Sequence, residues 1–339
     1  RQMKALRFIG MALLAVVLSV NFIACSDDDG GDYNTVKAIN VETAGTLSTL
    51  ISAEEVAQIA DLTLSGYING TDVNLIRKMF GLKRVDFTEL HIVGGGEHYD
   101  YAGNYPNYYY YYTHDNIFPA NCFRGFQQLN EIKLPNSITE IGEFAFKDCA
   151  ELASVEISNS VTKIGEYAFN GCGNLVSVKI PNSVTEIGSR AFTDCTGLTS
   201  VELSNGITNL DDIFTNCTSL TRVDIPHGVT KIQGTFENCT SLISVEIPNS
   251  VTLIDWGAFN GCTSLASIEI PNSVTKIGSS TFNGCSALKE VHIKSSTPPD
   301  VAEYAFSTYA YVTLYVPVGS KNAYMQHEIW GKFGNIIEE

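Results

Sequence analysis

Cysteine recurs at Cys149, Cys172, Cys195, Cys217, Cys239, Cys262 and Cys285, at intervals of 23, 23, 22, 22, 23 and 23 residues. Each copy stands in one text, Phe-x-x-Cys-x-x-Leu-x-x-Val-x-Ile, which in its fullest form continues Pro-Asn-x-Val-Thr-x-Ile-Gly. Leu152, Leu175, Leu198, Leu220, Leu242, Leu265 and Leu288 follow the cysteine by three residues, and Val155, Val178, Val201, Val223, Val245, Ile268 and Val291 by six. A period in the low twenties with one short apolar strand per copy cannot bury that strand alone, so the copies must stack. The 22-residue copies lose their residue between Leu210 and Phe214 and between Ile232 and Phe236. That places the length change in a turn.

Val-x-Ile has period two, so both side chains enter the core from one strand face. Stacked strands pair in parallel about 4.8 Å apart, which sets like residues over like. Phe169, Phe192, Phe214, Phe236, Phe259 and Phe282 then form an aromatic column, and Val161, Val184, Ile207, Val229, Val251 and Val274 an aliphatic one. Pro181, Pro226, Pro248 and Pro271 end each strand, because proline has no donor for the ladder. The expectation is a parallel, right-handed, single-core solenoid.

The pattern resembles the BspA-type leucine-rich repeat, in which Ala-Phe-x-x-Cys-x-x-Leu recurs, over about residues 118–317. The flanks resemble that family too, through Ile68-Asn-Gly-Thr-Asp72 and Leu314-Tyr-Val-Pro-Val-Gly-Ser320. The first copy departs from the pattern, with Phe126 in the ladder position and Cys122 aligned with Ala145. The resemblance implies an α/β-type repeat solenoid with short parallel strands on one face, an N-terminal helical cap and a C-terminal capping unit. It also implies a surface protein that attaches to host or matrix proteins, or to other cells.

Arg1, Lys4 and Arg7 precede an apolar stretch from Phe8 to Val20, as in a signal peptide. Phe22-Ile-Ala-Cys25 resembles a lipobox with Cys25 as the lipidated residue, and Ser26, Asp27, Asp28 and Asp29 resemble a surface-export signal. The expected layout is a lipoprotein signal peptide over 1–24, lipidated cysteine and acidic tether over 25–35, an N-terminal cap over 36–90, a Gly/Tyr-rich insert over 91–117, repeats over 118–294 and a C-terminal cap over 295–339. Such a chain would sit at the cell surface as an outer-membrane lipoprotein.

A formal net charge of −16 disfavours nucleic acid, whose phosphates require a basic surface, and disfavours attachment to anionic lipid. The ladder cysteines are expected to be free and packed in an apolar column, since parallel stacking points their Cβ vectors alongside one another. In the cap, Ser52-Ala-Glu-Glu55 reads as a capping box opening a helix through Ala60, and Thr71 or Asp72 as the cap of a helix through about Phe80. Leu62 and Val85, 23 residues apart, already read as stacked strand positions.

Two surfaces are candidates for binding. The first is the outward strand column at Glu156, Lys179, Glu202, Asp224, Glu246 and Glu269, in which stacked carboxylates would favour a cationic partner or metal ions. The second is the insert, read as a surface loop with tyrosines at Tyr99, Tyr101, Tyr105, Tyr108, Tyr109, Tyr110, Tyr111 and Tyr112. No zinc-binding His-Glu-x-x-His, no Gly-x-Ser-x-Gly and no phosphate-binding glycine loop is present, so neither cofactor nor catalysis is expected. The functional expectation is a non-enzymatic adhesion protein for a protein partner, with surface carbohydrate capture as the alternative.

Overall fold

The computed structural model describes residues 35–104 and 107–339. Cys25 and the Ser26–Asp29 export signal lie outside the described residues, as does Tyr105.

Two strand ladders run along the stack. The longer strands carry the Ser-Val-Glu text, with the middle side chain inward. Val155 stands opposite Ile132, Val178 opposite Val201, Val223 opposite Val245 and Ile268 opposite Val291, all in parallel. The second ladder joins the Lys-Ile segments, with Ile141, Ile164 and Ile187 in register, and again Ile232, Ile254, Ile277 and Val301. It breaks at the shortened coil between Leu210 and Phe214, where a residue is missing from the turn. Glycine follows this ladder because the coils nearly touch there. A Cβ on Gly188 would lie 2.4 Å from the Glu166 nitrogen.

The aromatic column extends beyond both ends of the sequence pattern. Phe118, Phe146, Phe169, Phe192, Phe214, Phe236, Phe259, Phe282 and Phe306 stack with neighbouring centroids 4.9–6.1 Å apart. Trp330 and Phe333 close the far end against Phe306 edge-on. The second ladder reaches Asp300–Val301, and the main one continues through Thr313–Val316 to Asn335–Glu338, so coil-like pairing runs into the 295–339 region.

All eight described cysteines are free and buried. The expected purely apolar column is corrected in one respect. Each ladder thiol has a polar partner: Cys172 Sγ donates to the Phe146 carbonyl, Cys195 Sγ to Phe169, Cys217 Sγ to Phe192 and Cys239 Sγ to Phe214, all at 3.2 Å. Burial pushes the Cys195 and Cys239 thiols up to about 12, so the reactive thiolate is suppressed. A serine at such a position would keep a donor facing the same carbonyl.

The cap begins with β1 (Thr35–Val41), then α1 (Ala53–Val56), β2 (Ile59–Ile68), α2 (Gly70–Ile76), β3 (Arg84–Asp86) and β4 (Leu90–Ile92). Leu62 pairs with Val85, as the 23-residue spacing predicts. Ser52 and Glu55 form the capping box, but the helix stops at Val56 instead of Ala60. The reason is competition: Ile59 onward is taken by β2, which pairs with β1 and β3. The second helix is capped by Asn69, not by Thr71 or Asp72, and ends at Ile76 instead of Phe80. Asp72 is the third residue of that helix and is buried, its carboxylate accepting from the Asn69 nitrogen.

The insert is not a loop but a two-stranded antiparallel hairpin, β5 (Gly95–Asn104) and β6 (Asn107–Thr113). Tyrosine has high strand propensity, and the inward rings of Tyr99 and Tyr111, one on each strand, lay the hairpin on the core. Tyr99 is buried and Tyr111 packs against the core. Arg77 pins the hairpin to α2, with its guanidinium donating to the Tyr99 carbonyl and lying 3.1 Å from the Asp100 carboxylate.

Candidate binding surface

On the main ladder the residue directly after each inward one belongs to a solvent-facing column: Asp86, Lys133, Glu156, Lys179, Glu202, Asp224, Glu246, Glu269, His292 and Tyr315. Lys179 interrupts the carboxylates of this column, as the sequence reads, and Lys133 extends the alternation toward the cap. As far as Glu202 the charges alternate and neutralise one another, with Lys133 Nζ 2.8 Å from Asp86 and Lys179 Nζ 3.1 Å from Glu202. Glu156 belongs to this alternating half. From Glu202 to Glu269 the column is acidic on consecutive coils.

Within the acidic run, Arg222 reaches Asp224 at 3.0 Å and Lys294 reaches Glu269 at 3.3 Å. The Glu339 carboxylate, helped by Glu269, holds the Lys294 ammonium above its ordinary value against the opposing effect of burial. Glu246 has no ion pair among the described residues and stands between two other acids. Exposed pairs of this kind are worth about 0–1 kcal/mol each, so they trim the local field without fixing the side chains. Glu246 lies on a groove of about 840 Å³, with Arg222, His227, Asn249, Glu269 and Lys294 around it. His227 and Gly228 replace the usual Asn-Ser there, and the sequence pattern alone did not mark them.

The second surface is the hairpin. Tyr101, Tyr110 and Tyr112 are exposed, and His98 meets Tyr110 and Tyr112 edge-on at 4.7 and 6.2 Å. Tyr101 stands opposite Tyr110, while Tyr108 and Tyr109 stand opposite Gly103 and Ala102. Beside the hairpin the coils carry cation–aromatic contacts: Arg124 lies over Phe144, and Lys147 and Arg190 over Tyr167. Phe144, Tyr167 and Arg190 hold left-handed φ values of 56°, 54° and 59°, and the Phe144–Tyr167 stack at 5.1 Å helps to offset that strain.

The polar residues of the insert serve structure: Asp100 pairs with Arg77, and Asp115 accepts from the Gly94 nitrogen. No group of three or more His, Cys, Asp or Glu placed to hold a metal ion occurs among the described residues. No helix among them is long and apolar enough to cross a membrane.

The profile of the BspA type Leucine rich repeat region matches residues 116–235 and 210–327, in six copies, which together cover more than half of the chain. The chain belongs to the BspA-type leucine-rich repeat family. Among solved structures, a leucine-rich repeat protein from Bacteroides ovatus shares the fold, at 24% identity and a TM-score of 0.52 over 70% of this chain and 67% of that one. The T. pallidum leucine-rich repeat protein is 32% identical over 43% of this chain and 69% of its own, with a TM-score of 0.42. A leucine rich cell surface protein from Faecalibacterium prausnitzii is 23% identical over 69% of this chain and 79% of its own, with a TM-score of 0.33. No curated protein matches. In this BspA-type chain the family match spans the coils between residues 116 and 327. The acidic run and the tyrosine hairpin are what the family pattern leaves free.

Proposed function

We propose that the chain is a non-enzymatic binding protein held at the cell surface, and that its strand face takes a basic segment of a host, matrix or other cell-surface protein. The observation that carries the reading is Glu246, unpaired among the described residues, flanked by Asp224 and Glu269 and bordering the 840 Å³ groove. Like charges at strand spacing repel one another, and a partner's ammonium or guanidinium groups would relieve that repulsion. Lysine at Glu202, Asp224 and Glu246 together reverses the local field and leaves the inward Val-x-Ile core intact. The expected result is a circular dichroism spectrum and melting temperature close to wild type, with capture of basic matrix proteins lost. Wild-type capture should weaken with salt, since exposed charges act over a Debye length of about 8–10 Å. Capture that survives in the triple variant and ignores salt would refute the strand-face reading.

Carbohydrate capture is the second reading, favoured by the exposed rings of Tyr101, Tyr110 and Tyr112, which offer large contact area at low entropic cost. Glycan-array binding that disappears on serine substitution of Tyr110 and Tyr112 would select it over the first.

Placement at the surface rests on the sequence, through the apolar stretch, Phe22-Ile-Ala-Cys25 and the acidic segment behind it. Cys25→Ala is expected to release the protein from membrane fractions and abolish acyl labelling. Unchanged labelling would remove Cys25 as the anchor. Replacement of Asp27, Asp28 and Asp29 by alanine should keep the lipid but reduce protease accessibility on intact cells.

A further inference from the structure

Between the hairpin and the first coils lies a groove of about 260 Å³, lined among others by Tyr99, Tyr110, Tyr111, Tyr112, Glu140 and Glu143. It is too small for a secondary-structure element and of a size for one long side chain. Aromatic walls with carboxylates at the rim attract a cation, through the ring quadrupole and through charge. Two half-buried rings on the neighbouring coils carry a cation from the chain itself: Arg124 over Phe144, and Lys147 and Arg190 over Tyr167. No such cation covers Tyr110, Tyr111 or Tyr112 among the described residues.

The acceptors of the groove are also incompletely used. Lys163 holds Glu140 at 3.1 Å, whereas Glu143 has no ion pair among the described residues. Burial, followed by the nearby Glu143 carboxylate, pushes the Tyr111 phenol up, which places that charge beside the ring. Two features therefore coincide: aromatic faces and a carboxylate without an ion-pair partner.

We propose that this groove receives an arginine side chain of the partner, with its guanidinium plane against the tyrosine rings and its N–H groups toward Glu143. Arginine suits the groove better than lysine. Its guanidinium is planar, weakly hydrated and carries five donors, where the ammonium is a strongly hydrated point with three. The net charge of −16 adds long-range attraction for a basic partner. The inference deepens the protein-binding reading and rests on it, but it concerns a surface separate from the Glu246 groove.

The test titrates the full chain with blocked Gly-Arg-Gly, Gly-Lys-Gly and Gly-citrulline-Gly peptides and follows the tyrosine ring signals by NMR. Citrulline keeps the shape of arginine and removes its charge. The arginine peptide is expected to shift the ring signals and to bind about tenfold more tightly than the citrulline peptide, with lysine between them. Glu143→Gln, an exposed change that leaves the core alone, should weaken the arginine peptide by a similar factor, and Glu246→Gln should leave it unchanged. Equal binding of the citrulline peptide, or indifference to Glu143→Gln, would overturn the inference. Loss through Glu246→Gln alone would overturn it as well, while leaving the strand-face reading intact. Ring shifts produced by a neutral methyl glycoside, with the arginine peptide silent, would overturn it in favour of carbohydrate.

Discussion

Phe214→Ala is expected to destabilise the stack by about 3–5 kcal/mol, the range for removing a buried phenylalanine ring. Phe214 is fully buried and lies between Phe192 and Phe236 at 6.0 and 6.1 Å, the widest gaps in the column. Both gaps occur at the shortened coils, where the turn has lost a residue and the rings already sit farther apart. Backbone bonds from Phe192 N to the Ile213 carbonyl and from Phe214 N to the Thr235 carbonyl resist collapse into the cavity. Because each coil touches only its neighbours, the loss should also uncouple the two halves. Urea unfolding followed by fluorescence and by circular dichroism should then give transitions that no longer coincide. A midpoint and a shape identical to wild type would refute the column as the main source of cohesion.

Asp72→Ala is the second large effect, and it acts at the other end of the molecule. Asp72 is 1% exposed, with Oδ1 accepting from the Leu47 nitrogen and Oδ2 from the nitrogens of Gly45 and Asn69. Hydrogen bonds to a charged group contribute about 1.5–3 kcal/mol each, and their loss here leaves buried N–H groups unmet. The three bonds share one carboxylate and are not additive, so a total of about 3–5 kcal/mol is expected. The loss should appear as early melting of the cap, with hydrogen exchange rising around β1, α1 and α2 before it rises in the repeats. Asp72→Asn keeps the shape and should fall between alanine and wild type. Exchange that rises uniformly along the chain would contradict a local role.

Most of the solenoid was legible because its information is periodic. Cys217, Leu220, Val223 and Ile225 announce the inward face of one coil, and repetition at 22 or 23 residues forces the neighbours into register. The hairpin was hidden for the opposite reason. Five consecutive tyrosines, Tyr108 to Tyr112, mask the period-two alternation that separates the packed Tyr111 from the exposed Tyr110 and Tyr112. The end of the first cap helix was misplaced because β2 claims the residues that local propensity would have left helical. The thiol–carbonyl contacts were invisible to a reading that counted cysteine only as a small apolar side chain.

The sequence by itself determined the stack, its parallel ladders and the aromatic column, because each follows from a spacing whose apolar faces are buried by stacking. Only the tertiary structure decided which charges remain unanswered. Glu202 and Glu246 carry the same letter in the same repeat position, yet Lys179 answers one while Glu246 meets Asp224 and Glu269. Lys294 reaches Glu269 from the next coil, and Glu143 comes to lie beside Tyr111 through a hairpin folded back from a distant part of the chain. Burial of an apolar face depends on periodicity along the chain, which a sequence displays. The pairing of surface charges depends on where long side chains from different coils end in space, which a sequence does not display.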